Sequence, residues 1–339
     1  MNNTIIEVRD LKTYFFLDEG TVKAVDGLSL KIEAKKTLGV MGESGCGKSV
    51  TALSILRILP KQAKIVDGSI TFHANGENPV ELTHFKQDSR ELRDIRGKEI
   101  SMIFQEPMTS FSPVHTIGNQ ILESIYYHDT TDKAIAREKA IDMLRKVGIS
   151  NPEQRMSEFP HQLSGGLRQR CMIAMALVCH PKLLIADEPT TALDVTIQAQ
   201  ILELMQSLQE ELGMAIMFIT HSLGVISSIS EKVAVMYLGR IVEFADTRTI
   251  FKNSQHPYTT SLLKSIPSIG RTKKTRLEAI KGNVPIPLEP LPQCGFYGRC
   301  PHSMDGTCDK AVPGLTEVEE GHFVRCFLLS DAKEIINEK

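Results

Sequence analysis

A glycine-rich segment near the start of the chain, Gly42-Glu43-Ser44-Gly45-Cys46-Gly47-Lys48-Ser49, has the spacing of a phosphate-binding loop. Its glycines allow consecutive backbone N–H groups to turn inward around phosphate oxygens. Lys48 supplies a positive point charge, and the hydroxyl of Ser49 can bind Mg²⁺. An apolar run precedes the segment and a helix-like stretch follows it. This strand–loop–helix context predicts a site for the phosphates of a nucleotide and for Mg²⁺.

A second segment, Leu163-Ser164-Gly165-Gly166-Leu167-Arg168-Gln169, predicts another anion site. Ser164 is a favourable N-cap residue, and residues 167–178 have the pattern of a helix. The N-terminus of such a helix presents free N–H groups and the positive end of its dipole. One nucleotide does not need two anion sites from one fold. We therefore expect two subunits to pair head to tail, each lending residues 164–166 to the other's nucleotide.

A pair of carboxylates follows a buried-strand pattern further along the chain. The apolar run 183–186 ends in Asp187-Glu188, which fits a parallel strand that delivers both residues to the carboxyl edge of a sheet. Asp187 is then placed to hold Mg²⁺ through water, and Glu188 to orient or deprotonate the attacking water. An isolated Asp-Glu pair would more often be a solvated turn, so this interpretation depends on the preceding strand and the phosphate loop.

Together these segments resemble the ATP-binding cassette (ABC) ATPases, whose signature is similar to LSGGQ; here Leu167 stands in place of the final glutamine. The resemblance implies further site residues. Gln105, at the end of the strand pattern 99–104, would serve Mg²⁺ or the attacking water. His221, after the strand pattern 215–220, would contact the γ-phosphate, although the aspartate that often follows is replaced by Ser222.

Two more assignments rest on the same resemblance. Asp194 belongs to a segment similar to the loop along the dimer seam of these ATPases. Phe15 is the expected aromatic partner of adenine, with Tyr14 as the alternative, because a one-residue register slip exchanges the two faces of a strand.

The element pattern and the resemblance predict an α/β fold of the P-loop NTPase class. Its RecA-like core would carry an antiparallel β subdomain near the N-terminus and an α-helical subdomain at about 106–180, which holds the signature. The cassette is expected to span residues 1–255. A C-terminal extension, 256–339, would follow, with a basic stretch at 271–276 and a proline-rich stretch at 285–292.

Composition narrows the classes of function. Lys and Arg total 39 and Asp and Glu 41, so the net charge of −2 gives no electrostatic case for binding nucleic acid. The sequence contains no run of 18 apolar residues, so no membrane span is predicted. The N-terminus lacks the apolar core of a signal peptide. A cytoplasmic protein is expected, in which structural disulfides are rare.

Four of the seven cysteines, Cys294, Cys300, Cys308 and Cys326, lie near the C-terminus. Thiolates favour zinc or an iron–sulfur cluster. The spacing lacks the tight C-x2-4-C pair usual in structural zinc sites, and by itself it leaves zinc, a [4Fe–4S] cluster and free thiols open. Cys46, Cys171 and Cys179 are scattered and are expected to be packing residues.

The C-terminal extension resembles that of oligopeptide and dipeptide importer ATPases, through His256-Pro257-Tyr258, the prolines and the cysteines. This resemblance covers nearly the whole chain and favours a [4Fe–4S] cluster over Zn²⁺. It implies the D-type ATPase subunit of an importer at the cytoplasmic face of the membrane. Its partners would be a homologous F-type ATPase subunit, two permease subunits and an extracytoplasmic peptide-binding protein.

The sequence leaves the transported solute open and disfavours two other classes of cassette ATPase. Similar importers move nickel, glutathione or sugars. A DNA-repair or chromosome ATPase would need a long coiled-coil insertion, yet only about 115 residues separate Lys48 from Ser164 and no sustained heptad fills them. A translation-type cassette protein would carry two cassettes, whereas each motif occurs once here.

Overall fold

The computed structural model describes residues 3–74, 79–105, 110–191, 193–265, 280–285, 288 and 292–329. The chain divides into two compact units. The first unit comprises Met1–Glu7, Lys31–Thr37 and Thr71–Ile219, and the second unit comprises Val8–Leu30, Leu38–Ile70 and Thr220–Lys339. The basic stretch 271–276 lies outside the described residues. None of the helices in the described ranges is long and apolar enough to cross a membrane.

The strands are β1 (Thr4–Leu17), β2 (Gly20–Glu33), β3 (Thr37–Met41), β4 (Ala63–Phe72), β5 (Val80–Glu81), β6 (Ile100–Ile103), β7 (Leu183–Asp187), β8 (Ala215–Ile219), β9 (Lys232–Tyr237), β10 (Arg240–Asp246), β11 (Thr316–Glu319) and β12 (His322–Val324). The helices are α1 (Lys48–Ile55), α2 (Arg90–Ile95), α3 (Ile117–His128), α4 (Lys133–Lys146), α5 (Pro152–Arg155), α6 (Gly165–Leu177), α7 (Val195–Leu212), α8 (Leu223–Ile229), α9 (Thr247–Asn253) and α10 (Pro257–Lys264).

The first unit contains parallel strands in the order β8-β7-β6. Every residue of β7 and β8 is buried, as expected for parallel strands covered on both faces. The register pairs Asp187 with Ile219, so both strands end at the same edge. Helices α3, α4 and α6 pack on one another, and α6 also contacts β6. Side chains of Thr116, Asp132 and Ser164 cap their N-termini, which satisfies otherwise unpaired backbone N–H groups.

The second unit contains the strand order β11-β12-β10-β9-β3, in which β3 and β9 are parallel and β9, β10 and β12 pair antiparallel. Most of β1, β2 and β4 also lies here, in the order β2-β1-β4. A buried core forms around β9 and β10 and includes Tyr258 of α10 and Phe296. Residues near the C-terminus therefore extend this sheet and share its core.

Candidate functional site

The glycine-rich segment forms the predicted loop between β3 and α1, in the second unit. Gly47 precedes α1 with a φ of 102°, and Gly42 has a φ of 154°. A Cβ atom on Gly42 would lie 2.3 Å from the carbonyl oxygen of Met236, and one on Gly47 would lie 2.3 Å from that of Ala24. Both positions therefore require glycine because of space and backbone conformation.

Lys48 lies in the first turn of α1 and is buried beneath the loop. Its Nζ donates to the carbonyl oxygens of Gly42 at 2.8 Å and Glu43 at 3.0 Å. Cys46 is fully buried, and this burial raises the pKa of its thiol, in keeping with the predicted packing role. Ser44 and Gly45 are exposed, whereas Ser49 is half-buried in α1.

Glu43 is held by the C-terminal part of the second unit, which the sequence did not predict. Its backbone N–H donates to the hydroxyl of Tyr258 at 2.9 Å. Its carboxylate accepts two hydrogen bonds from Arg299, at 2.7 and 2.9 Å. The loop and the C-terminal residues are 215 and 256 positions apart in the chain, so no local pattern could have paired them.

In the first unit, the predicted carboxylates occupy the end of β7. Asp187 is its last residue and is buried. Glu188 has a φ of 47°, a strained conformation for a residue with a side chain, and its N–H donates to Ile219 at 2.8 Å. Its Oε2 accepts from Nε2 of Gln105 at 3.2 Å and from the hydroxyl of Thr191 at 3.0 Å. The structure thus brings the proposed base together with Gln105 and adds Thr191, which the sequence reasoning missed.

The signature residues begin α6, also in the first unit. Ser164 is the N-cap and its Oγ accepts from the N–H of Leu167 at 3.4 Å, which confirms the predicted capping role. Ser164 and Gly165 are exposed, and Gly166 lies in the first turn. Asp194 is the N-cap of α7 and accepts from the N–H of Ile197 at 2.9 Å. The two helix starts therefore have capped, solvent-accessible ends.

The other residues predicted to contact the nucleotide, His221 and either Phe15 or Tyr14, lie in the second unit. His221 is exposed and follows Thr220, whose N–H donates to the carbonyl of Val40 at 3.2 Å. Phe15 is half-buried, and Tyr14 projects to the opposite face of β1, where its hydroxyl donates to Asp26 at 2.7 Å. Burial raises the pKa of Tyr14. The roles of His221 and Phe15 toward a nucleotide stay predictions.

The four C-terminal cysteines line one small pocket of the second unit, together with Phe296 and Phe327. All four are free thiols, and the N–H of Cys294 donates to the carbonyl of Cys308 at 2.8 Å. Burial raises the pKa of Cys294 and Cys300, and raises that of Cys326 to about 11. Within the described ranges, no three or more His, Cys, Asp or Glu side chains are already placed to hold a metal ion. The thiols are gathered, but no coordination geometry is complete.

Two family models match the chain. Residues 25–191 match the ABC transporter family, and residues 242–308 match the oligopeptide/dipeptide transporter C-terminal region. Among solved structures, the dimeric bacterial ABC transporter cassette MJ0796 superposes with a TM-score of 0.62 at 25% identity, over 72% of this chain and 99% of that cassette. This likeness confirms the expected ABC-ATPase fold.

Curated relatives extend over both matched regions. The chain is 50% identical over 334 residues to the probable peptide ABC transporter ATP-binding protein y4tR of Sinorhizobium fredii, covering 98% of this chain and 96% of the relative. It is 50% identical over 331 residues to the oligopeptide transport ATP-binding protein AppD of Bacillus subtilis, with coverages of 97% and 98%. The dipeptide transport ATP-binding protein DppD of Bacillus subtilis is 44% identical, with coverages of 97% and 96%. The chain therefore belongs to the ATP-binding proteins of ABC transporters, which are ATP-hydrolysing subunits, and to the group of them that carries the oligopeptide/dipeptide transporter C-terminal region.

Proposed function

We propose that this protein hydrolyses ATP to drive the import of oligopeptides or dipeptides across the cytoplasmic membrane. One observation carries the proposal: the 50% identity to peptide-transport relatives runs through the cassette and the C-terminal region alike. The cassette alone would indicate an ABC ATPase without indicating a solute. The C-terminal region supplies the narrower assignment.

Residues of the phosphate loop and of the end of β7 would bind ATP and Mg²⁺ and activate water. As a member of this family the chain binds ATP with Mg²⁺. Lys48 and the amides of residues 42–49 bind phosphates, and Ser49, Gln105 and Asp187 serve Mg²⁺. Glu188 is the general base toward water, a role supported by the hydrogen bonds from Gln105 and Thr191 that orient its carboxylate.

Other proposed contacts complete nucleotide binding. His221 contacts the γ-phosphate and Phe15 stacks on adenine. Ser164, Gly165 and Gly166 serve the nucleotide of a second ATPase subunit, with Asp194 at the same seam. The exposed, capped start of α6 supports this role, because a helix N-terminus that solvent can reach can also receive an anion.

The assembly follows from this function. An importer requires membrane permease subunits and a substrate-binding protein. We propose two permeases, an extracytoplasmic peptide-binding protein and a homologous F-type ATPase subunit that pairs with this chain. The chain would then be peripheral, at the cytoplasmic face of the membrane. Hydrolysis at the paired sites would be passed to the permeases as closure and reopening of the ATPase pair.

We also propose that Cys294, Cys300, Cys308 and Cys326 bind a [4Fe–4S] cluster, with Zn²⁺ as the alternative. The support is the donor chemistry: four thiols line one pocket, and thiolates are the ligands of both groups. Binding would require the thiols to lose protons and to draw together. A bound group would cross-link this segment; transport itself requires no redox step.

The test is reconstitution of the whole complex. The chain is co-expressed with neighbouring permease, ATPase and binding-protein genes, placed in proteoliposomes, and assayed for ATP hydrolysis with peptides of two to eight residues, nickel or glutathione. We expect hydrolysis and uptake to rise with peptides loaded on the binding protein. A Glu188→Gln complex is the matched control. Stimulation by nickel or glutathione and not by any peptide would contradict the peptide assignment.

A further inference from the structure

Two residues of the C-terminal region, Tyr258 and Arg299, form hydrogen bonds with the phosphate loop of the second unit. Glu43, the first residue after Gly42, is contacted at three of its groups. Tyr258 receives its N–H, Arg299 binds its carboxylate, and Lys48 donates to its carbonyl oxygen. Arg299 ends the short turn Tyr297–Arg299 and is followed directly by Cys300.

The contact between Arg299 and Glu43 has the geometry of a strong ion pair. Nη1 and Nη2 of Arg299 each donate to a different carboxylate oxygen, at 2.7 and 2.9 Å. Nη1 also donates to the hydroxyl of Tyr237 at 3.2 Å, and Nε donates to the carbonyl of Lys281 at 3.0 Å. The Arg299 side chain is only 8% exposed. Bidentate pairing of this kind fixes orientation as well as charge.

The charge of Glu43 matters because of its position. It is the one acidic side chain of residues 42–49, in a loop whose family role is to receive a polyphosphate. An unpaired carboxylate there would repel the phosphates. The guanidinium is charged throughout the physiological pH range, and the two hydrogen bonds that it donates to Glu43 bring this charge directly against the carboxylate.

We propose that Arg299 is a positioning residue for the nucleotide: by neutralising and fixing Glu43, it lets the phosphate loop accept ATP. The C-terminal region thereby sets the nucleotide affinity of the cassette. This inference rests on the proposed nucleotide binding by residues 42–49, and it adds to that function a determinant outside the cassette motifs.

The experiment measures the dissociation constant of a fluorescent ATP analogue for the full-length chain, at low and high salt. Arg299→Gln leaves Glu43 unpaired, and we expect affinity to fall about ten-fold, as for loss of a charge-assisted hydrogen-bonded pair. Glu43→Gln removes the negative charge that Arg299 neutralises, and we expect tighter binding of the nucleotide. The double substitution should return affinity to within about two-fold of the original chain, and high salt should shrink both single effects.

Lys310→Gln is the matched control, because it removes one positive charge from an exposed side chain of the same region; it should leave affinity unchanged. If Arg299→Gln does not fold, Glu43→Gln still decides, since a purely structural tether predicts weaker binding and neutralisation predicts tighter binding. Weaker binding by Glu43→Gln, or unchanged binding by a folded Arg299→Gln, overturns the inference. A chain that binds no ATP in any form would instead contradict the proposed function.

Discussion

Replacement of Tyr258 by phenylalanine would test the hydrogen bond that joins α10 to the phosphate loop. Tyr258 is fully buried, and its ring packs against Tyr237 and Phe296 at centroid distances of 4.7 and 5.4 Å. Phenylalanine keeps these ring contacts but leaves the N–H of Glu43 without the acceptor it now has at 2.9 Å. A fully buried unsatisfied donor costs about 1–3 kcal/mol; because this bond is only partly buried, we expect the free energy of unfolding to fall by about 1 kcal/mol, the lower end of that range.

Urea-induced unfolding of the full chain would measure this change at unchanged denaturant slope. Tyr127→Phe is the control, because Tyr127 is 56% exposed and surface substitutions usually change stability by less than about 0.5 kcal/mol. Tyr258→Ala, which also removes the ring, should cost about 3–5 kcal/mol. Equal midpoints for Tyr258→Phe and Tyr127→Phe would refute the energetic role of the hydroxyl.

Further predictions concern titration, catalysis and the thiols. Burial lowers the pKa of His256 to about 4, whereas the unfolded side chain titrates near pH 6.5. The unfolded chain alone therefore takes up this proton between those values, and the His256 contribution to stability should fall by about 2 kcal/mol from pH 7.5 to pH 5. His256→Asn, which keeps a capping acceptor without titrating, should show a smaller loss in pH-dependent unfolding; an equal loss would exclude His256 as the source. Glu188→Gln should keep ATP binding and abolish nearly all hydrolysis, because glutamine cannot accept the proton of water; wild-type turnover in the assembled complex would show that Glu188 is not the base. Ser164→Arg should impair hydrolysis at the partner's site more than ATP binding by this chain's own loop, and full activity of a strictly monomeric preparation would contradict the paired-subunit proposal. In metal-free protein, Cys326 should react slowly with iodoacetamide at pH 8, because burial raises its pKa to about 11. Anaerobically prepared protein should contain about four irons per chain; one zinc and no iron would contradict the proposed iron–sulfur cluster.

The C-terminal extension buries side chains by packing against neighbouring strands. Its proline-rich composition is not that of a segment that forms a large core by itself. Phe296 and Val324 are nevertheless buried. Phe296 packs in the core around β9 and β10, and Val324 belongs to β12, which pairs with β10. His322 and Glu243 form a buried pair at 2.8 Å in the same region. The extension shares a core with the strands beside it, which its own composition could not reveal.

Local sequence determined the elements that carry the motifs. The glycines at 42 and 47 meet a local demand for positive φ and for space beside the backbone. The apolar run before Asp187 specifies a buried strand, and Ser164 and Asp194 specify helix starts; these features depend on neighbouring residues, so their patterns predict them.

Tertiary structure alone decided which distant side chains meet. Gln105 reaches Glu188, 83 positions away in the chain, because separate segments of the first unit converge at the end of β7. In the second unit, Arg299 and Tyr258 reach Glu43 across more than 200 residues of sequence. Such pairings have no periodicity and no spacing rule, since they depend on how the elements pack and on the free energy gained by burying them together. The sequence by itself determined which residues form the phosphate loop. Folding determined that Arg299, next to Cys300, pairs with Glu43, the single acidic residue of that loop.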